Sequence, residues 1–254
     1  MSGHSKWSTI KRAKGAADIK RGLTFTKVAN AITITTRQGN SGDPDANPRL
    51  RMVIDEARSV NMPKENIQRA IDRGLGKLPG QTIEEVNYEG FGPGKVAFYI
   101  EGLTDNKMRT LQEVKNLFEK SGGSLGGTGS TTYMFAKVGE IKVKGKGGNS
   151  EEELLELIDL GAEDVEEFLE DNIQRYLVYT EGSKVAEVSN KITRAGFGVK
   201  SSNLVMKPKI LQEVSDSETA KKVLDFTSRL EEHDDIQKVY ANFDINDSLL
   251  KDID

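Results

Sequence analysis

The chain contains no cysteine. Disulfides, thiolate metal sites and a cysteine nucleophile are therefore excluded, and the absence fits a reducing compartment. Histidine occurs only at His4 and His233, and tryptophan only at Trp7. The longest apolar runs, such as "VAFYI", are of strand length, far short of the roughly 20 apolar residues that span a membrane. The first residues lack the apolar core of a secretory signal. A transit peptide would also be basic and poor in acids, but here the basic stretch runs straight into patterned sequence, so it reads as mature protein and a cytoplasmic location is expected. Repeats and low-complexity tracts are missing. The composition, 36% hydrophobic and 30% charged over 254 residues, is that of a soluble chain with room for two or three small cores.

What is present is a lopsided charge distribution. The net charge is −4, yet residues 1–77 carry 15 Lys+Arg against 7 Asp+Glu, and the remainder carries 21 against 33. Six of those cations precede Lys27, opposed by Asp18 alone. Such asymmetry predicts a basic module that seeks a polyanion, joined to an acidic body that does not.

Periodicity divides the chain in the same place. Phe25, Val28, Ala29 and Ile32 fall at i, i+3, i+4, i+7, the spacing of a helix with one buried face, although the β-branched "TITITT" that follows opposes helix at its far end. "NPRLRMVIDEARSVN" predicts a second helix with Asn47 as N-cap and Pro48 at N1, and "MPKENIQRAIDRG" a third with Pro63 at N1 and Gly74 as its stop. "GLGKLPG" reads as a linker. Beyond it, "EEVNYEG" and "KVAFYIEG" predict a hairpin turned by "FGPG", and "DNKMRTLQEVKNLFEKSGG" an amphipathic helix. "STTYMFAKVGEIKVKG" predicts two strands around Gly139. "SEEELLELIDLG" follows as a helix capped by Ser150, then two strands, the helix "GSKVAEVSNKITRAG" and the strand "FGVKSSNLVMKP". Residues 139–206 thus spell β-α-β-β-α-β, the ferredoxin-like order. The strand "KILQEVS", the helix "DSETAKKVLDFTSRLEEH" and the strand "IQKVYANFDI" would complete the unit left open at residue 136. The expected class is α+β, with domains at 1–79, at 80–136 plus 207–254, and, inserted, at 137–206.

Most candidate chemistry fails on context. "GGSLG" matches a nucleophile elbow at Ser124, but a helix precedes it and a strand follows, the reverse of what an elbow needs. His233, among the carboxylates of "EEHDD", reads as a solvated helix end. "GFGPGKV" lacks the spacing and the hydroxyl residue of a phosphate loop. "GGSLGGTGS" could cradle a phosphate or simply connect a helix to a strand. No enzyme, cofactor or metal is expected. From Glu151 to Asp171 run eleven carboxylates and no Lys or Arg, interleaved with Leu154, Leu155, Leu157, Ile158, Leu160, Phe168 and Leu169. This reads as the charged outer face of a packed helix, with a protein-docking surface as the alternative.

Within the basic module, Arg51 and Arg58 each have Asp55 within a turn, and Glu65 precedes Arg69 by four, so intrahelical pairs are expected there. Lys6, Lys11, Arg12, Lys14, Lys20 and Arg21 have only Asp18 nearby. Unpaired cations are what releasing counterions from phosphates requires. On a helical opening Trp7, Lys11 and Lys14 would share a stripe, where Trp7 could stack a base or anchor the segment with Ile10.

These residues resemble the YebC family. The resemblance rests on "GHSKW", "IKRAKGAADIKRG", "GDPDANPRLRMVIDEA", "NMPKENIQRAIDRG", "YEGFGPGKVA" and "DDIQKVYANFDI", which together span the chain; "TGSTTYMF" departs from the family's usual residues, outside the basic module. The resemblance implies a helical domain followed by two α+β domains, one inserted in the other. Family members include a mitochondrial translational activator of cytochrome c oxidase subunit I. They are described both as DNA-binding transcriptional regulators and as ribosome-associated factors that help translation through stretches such as consecutive prolines. It further implies nucleic-acid contacts at His4, Lys6, Trp7, Lys11, Arg12, Lys14, Lys20 and Arg21, with Met62 and Lys64 as secondary candidates. The expected partners are the ribosome and ribosomal RNA or tRNA, with DNA as the alternative; no membrane and no small-molecule substrate are expected, and the chain is expected to be a monomer.

Overall fold

The computed structural model describes residues 17–78, 82–170, 173–246 and 249, with side chains from Gly22 onward. Its first three helices are α1 (Ala17–Gly39), α2 (Pro48–Ser59) and α3 (Lys64–Gly74). They bury one shared core of Val28, Ile32, Leu50, Ile54, Ala57, Ile67 and Ile71. α1 runs through the β-branched stretch to Gly39. Tertiary packing overrides propensity there, because Ile32, Thr33 and Thr36 are buried, and the Thr33 hydroxyl lies 2.9 Å from the Ala29 carbonyl and 3.1 Å from that of Ala70.

Asn47 caps α2 as expected: its Oδ1 accepts the Leu50 N–H at 3.2 Å, with Pro48 at the first helical position. Such a cap is worth about 1 kcal/mol. Pro63 sits one position earlier than predicted, as the N-cap of α3, and supplies only its carbonyl, to Asn66 and Ile67. Gly74 is the last residue of α3 rather than the stop; the left-handed residue is Gly76, at φ 71°. Gly74 serves the packing instead, since a Cβ on it would lie 2.6 Å from the Thr33 carbonyl oxygen.

Most of the remaining described residues form two four-stranded sheets and the helices that cover them. The first has the order β3-β1-β2-β9, from β1 (Glu84–Phe91), β2 (Ala97–Thr104), β3 (Ser124–Leu125) and β9 (Ile236–Ala241), all antiparallel. α4 (Lys107–Lys120) and α7 (Ser217–Glu231) cover one face, where Phe98, Phe118 and Phe226 meet edge to face. The second sheet has the order β5-β6-β4-β7, from β4 (Phe135–Lys144), β5 (Asp164–Glu170), β6 (Ile173–Glu181) and β7 (Gly198–Pro208). Its helices α5 (Ser150–Asp159) and α6 (Val185–Arg194) pack on Ile141, Val143, Tyr176 and Val178. First and third strands lie in the middle of an antiparallel sheet, which is the ferredoxin-like arrangement.

Strand alternation then decides how the sheets meet. Even-numbered residues of β2 face α4 and α7, while Ala97 and Tyr99 face the other way; in β6, Leu177 and Tyr179 do the same. These opposite faces close on each other through Phe135, Phe168, Val205 and Tyr240. The result is helices, sheet, sheet, helices. The chain leaves the first sheet at Met134 and comes back at Lys209, whose N–H donates to the Met134 carbonyl at 2.8 Å. The described fold is α+β, with N-terminal helices followed by sheet-containing units.

Three strand predictions need correcting. β4 is one continuous strand through Gly139, where a Cβ would lie 2.7 Å from that of Val185, so glycine allows α6 to approach rather than marking a turn. "KILQEVS" supplies only β8 (Gln212–Val214), which pairs in parallel with β10 (Phe243–Ile245), outside the four-stranded sheets. "IQKVYANFDI" breaks into β9 and β10 at the buried Asn242, whose Oδ1 accepts the Ala97 N–H at 2.7 Å while its Nδ2 donates to the Ile210 carbonyl at 2.9 Å. The cap of α5 is Asn149, not Ser150; its Oδ1 accepts the Glu151 N–H at 3.0 Å.

Candidate nucleic-acid interface

The predicted binding residues fall into three groups. His4, Lys6, Trp7, Lys11, Arg12 and Lys14 lie outside the described residues. Lys20 and Arg21 lie in the first turns of α1, and their side chains are likewise outside the description. Lys64 is exposed at the first position of α3, but Met62 is only 5% exposed and belongs to the core of the three helices. Its proposed contact role is therefore corrected: the Asn61–Met62–Pro63 turn points this side chain inward, where burying a methionine stabilises the domain by about 1.5–3 kcal/mol.

The charges of the helices also sort differently from expectation. Arg58 pairs with Asp55 at 3.1 Å, one turn away. Arg51 turns instead to the preceding loop, with Nη2 on Asp45 at 2.9 Å and Nε on the Pro44 carbonyl at 3.2 Å. No ion pair joins Glu65 to Arg69 among the described residues. Arg49, Lys64, Arg69 and Arg73 are all exposed and have no ion-pair partner there. Exposed pairs are worth at most about 1 kcal/mol, so pairing does not lock the other arginines away either.

The helices rest on the body through polar contacts. Lys27 Nζ donates to the Glu231 carbonyl at 2.5 Å, at the C-terminal end of α7, where a cation also complements the helix dipole. Arg37 donates to the Ile83 carbonyl at 3.0 Å and Gln38 to Glu85 at 2.9 Å. Beside these contacts opens a cleft of about 1500 Å³ between the helices and both sheets. Lys137, Lys200 and Lys238 line it, but so do Glu56, Glu101 and Asp225, so its field does not favour a polyanion.

Comparison with known proteins places this architecture. Residues 5–77 match the model of the TACO1/YebC protein N-terminal domain, and residues 83–243 that of the TACO1/YebC second and third domain. The chain belongs to the TACO1/YebC family. It is 44% identical over 255 residues to a protein of Sulfurihydrogenibium sp., covering 100% of both chains, and 45% identical over 251 residues to one of Chlorobaculum tepidum, covering 98% of each. Both relatives are named "Probable transcriptional regulatory protein". Its structure resembles the crystal structure of a conserved hypothetical protein from Aquifex aeolicus, with a TM-score of 0.80 and 40% identity over 91% of this chain and 93% of the other.

Two polar clusters in this YebC-family chain were not anticipated as such. In the glycine loop, the backbone N–H groups of Gly129, Thr131 and Thr132 do converge on an anion, but that anion is the Glu89 carboxylate, at 2.7–2.8 Å. Burial alone would raise its pKa; the three N–H donors outweigh that and hold it down at about 2. The loop's anion-binding capacity is thus met from within. His233 is half-buried rather than a solvated helix end: Nδ1 accepts the Asp235 N–H at 3.1 Å, which leaves the ring proton on Nε2 to donate to Glu113 at 3.0 Å. Asp235 Oδ2 accepts from the Thr110 and Thr104 hydroxyls at 2.7 and 3.1 Å and from Arg109 at 2.8 Å. Glu113, His233 and Asp235 bring ligand atoms within 4.8 Å of one another, yet the Arg109 guanidinium already supplies the positive charge a metal would bring. The one sequence cue for either cluster was a charged residue on a buried strand or at a strand start, with partners far along the chain.

Proposed function

We propose that the chain is a nucleic-acid-binding regulator of gene expression, acting as a ribosome-associated translation factor whose basic N-terminal segment contacts ribosomal RNA or tRNA. The observation that carries this reading is the segregation of charge: 15 cations against 7 carboxylates in residues 1–77, on a body with 21 against 33. His4, Lys6, Trp7, Lys11, Arg12, Lys14, Lys20 and Arg21 are the contacts, with Lys64 beside them; Met62 is not. A terminal cationic segment with one aromatic suits an irregular RNA surface better than a major groove, which is commonly read by the N-terminal residues of a recognition helix from a symmetric dimer. In this reading the helical domain is residues 1–79, the discontinuous domain 80–136 plus 207–254, and the inserted domain 137–206. The two sheet-containing domains set the placement of the first, in a cytoplasmic monomer that relieves stalling at sequences such as consecutive prolines.

The relatives' names favour a second reading, a DNA-binding transcriptional regulator that uses the same helices. Fractionating lysate on sucrose gradients with and without RNase separates the two. Co-migration with ribosomes that RNase abolishes supports the translation factor. A protein that never travels with ribosomes, yet shifts a defined operator duplex at physiological salt, overturns it.

A further inference from the structure

We propose that the solvent-facing side of α5 docks the chain's own basic N-terminal segment, residues 1–16, so that α5 and a nucleic acid compete for it. The proposal rests on the reading of that segment as the nucleic-acid contact and adds its regulation.

The first observation is that α5 carries two apolar stripes where a surface helix needs one. Leu157 faces the core of the second sheet. Away from that core, Leu155 lies nearly opposite Leu157 and is 62% exposed, and Ile158 lies between the two directions and is 44% exposed. Three residues apart, they are neighbours on the helix surface. Glu151, Glu152 and Asp159 surround them, all exposed and without an ion-pair partner among the described residues. The helix's other carboxylates are committed: Glu153 accepts from the Lys146 and Gly148 N–H groups and from the Tyr176 hydroxyl, at 2.9–3.0 Å, and Glu156 pairs with Lys146 at 2.7 Å. What remains is an aliphatic pair ringed by uncompensated negative charge.

The second observation is the complement within the same chain. Residues 1–16 hold Lys6, Lys11, Arg12 and Lys14, no carboxylate, and the apolar Trp7 and Ile10. Charge and apolar character match those of α5 point for point in kind. Reach permits the encounter in one molecule. Leu23 and Thr24 of α1 line the same cleft as Ser189 of α6, the helix that shares a sheet face with α5, and 16 extended residues span up to about 55 Å. Docking raises the apparent Kd for a nucleic acid by the reciprocal of the undocked fraction.

Trp7 is the only tryptophan, so the intact protein reports its own docking by fluorescence. The comparison is with the quintuple variant Glu151→Gln, Glu152→Gln, Leu155→Ala, Ile158→Ala, Asp159→Asn, whose changes are all at exposed positions, with circular dichroism to verify folding. The expected result is that Trp7 emission shifts to the red and acrylamide quenching increases in the variant. Its affinity for a single-stranded poly(U) oligonucleotide should rise roughly three- to tenfold. Identical emission and quenching in the two proteins overturn the proposal, and so does a Trp7 difference that scales with protein concentration, which places docking between copies. A Trp7 shift in a protein that binds neither RNA nor duplex DNA leaves docking standing and removes the function it was to regulate.

Discussion

Glu89 and Thr131 are joined twice: the Glu89 carboxylate accepts the Thr131 backbone N–H at 2.7 Å and lies 3.3 Å from its hydroxyl, at a point where both residues are buried. With Gly129 and Thr132 donating as well, a strand carboxylate holds the glycine loop in place as an internal counter-anion. Replacing it with Gln keeps the shape but supplies a neutral acceptor and an NH₂ group facing N–H donors.

Glu89→Gln should therefore destabilise the protein by about 2–3 kcal/mol at pH 7, read as a lower urea midpoint at an unchanged slope. The pH dependence gives a sharper check. A carboxyl whose folded pKa is about 2, against an ordinary value near 4.3, contributes stability that is complete above the ordinary value and lost as pH falls towards 2. The wild type should lose this contribution between about pH 4.5 and pH 2. The variant's curve should lack that part of the slope, and parallel curves would refute the assignment.

Asp235 is the second such anchor. Burial raises its pKa, but hydrogen bonds from Thr110, Arg109 and Thr104 more than reverse this and hold it below the ordinary aspartate range. Asp235→Ala takes an acceptor from Arg109 and from the Thr104 and Thr110 hydroxyls, which still bond each other at 2.7 Å, and should cost about 1–3 kcal/mol by chemical denaturation. Thr110→Val in the Asp235→Ala background should add much less than it costs alone, because the two remove one shared network. Strict additivity would show that the hydroxyl and the carboxylate act separately.

Met62 and Lys64 are neighbours in sequence with opposite fates. Met62→Ala should destabilise the helical domain by about 2–3 kcal/mol while leaving nucleic-acid affinity of the folded protein unchanged. Lys64→Ala should leave the melting temperature within a degree or two and weaken binding modestly. Equal losses of affinity in the two variants would return Met62 to the binding surface.

That contrast marks where sequence reasoning stops. The Asn47 cap, the i, i+3, i+4, i+7 faces of α1 and α2, and the β-α-β-β-α-β order were legible because each depends on residues a few positions apart. Met62 was not, since a methionine in a tight inter-helix turn carries no periodic signal and only the position of α1 decides which way it points. Glu89 meets partners some 40 residues later, and Asp235 meets Thr110 across 125 positions. Nothing local distinguishes such carboxylates from solvated ones. Arg51 misled for a related reason: the loop that carries Asp45 folds back beside it and outcompetes the in-helix Asp55.

The salt dependence of binding tests the N-terminal segment without any knowledge of its conformation. Each phosphate contact releases condensed counterions, so the slope of log K against log salt falls by about 0.7 per contact for a single strand and about 0.9 for a duplex. Replacing Lys11, Arg12 and Lys14 by Ala should flatten the slope by about 2 units on single-stranded RNA and by nearer 2.7 on duplex DNA. Arg58→Ala, by contrast, removes a cation of α2 that lies outside this segment and should leave the slope nearly unchanged. The size of the change thus separates the two nucleic acids, because the same three cations release different numbers of ions from each. A slope that the triple variant does not alter would move the interface away from this segment, to the exposed Arg49, Arg69 and Arg73 of the helices behind it.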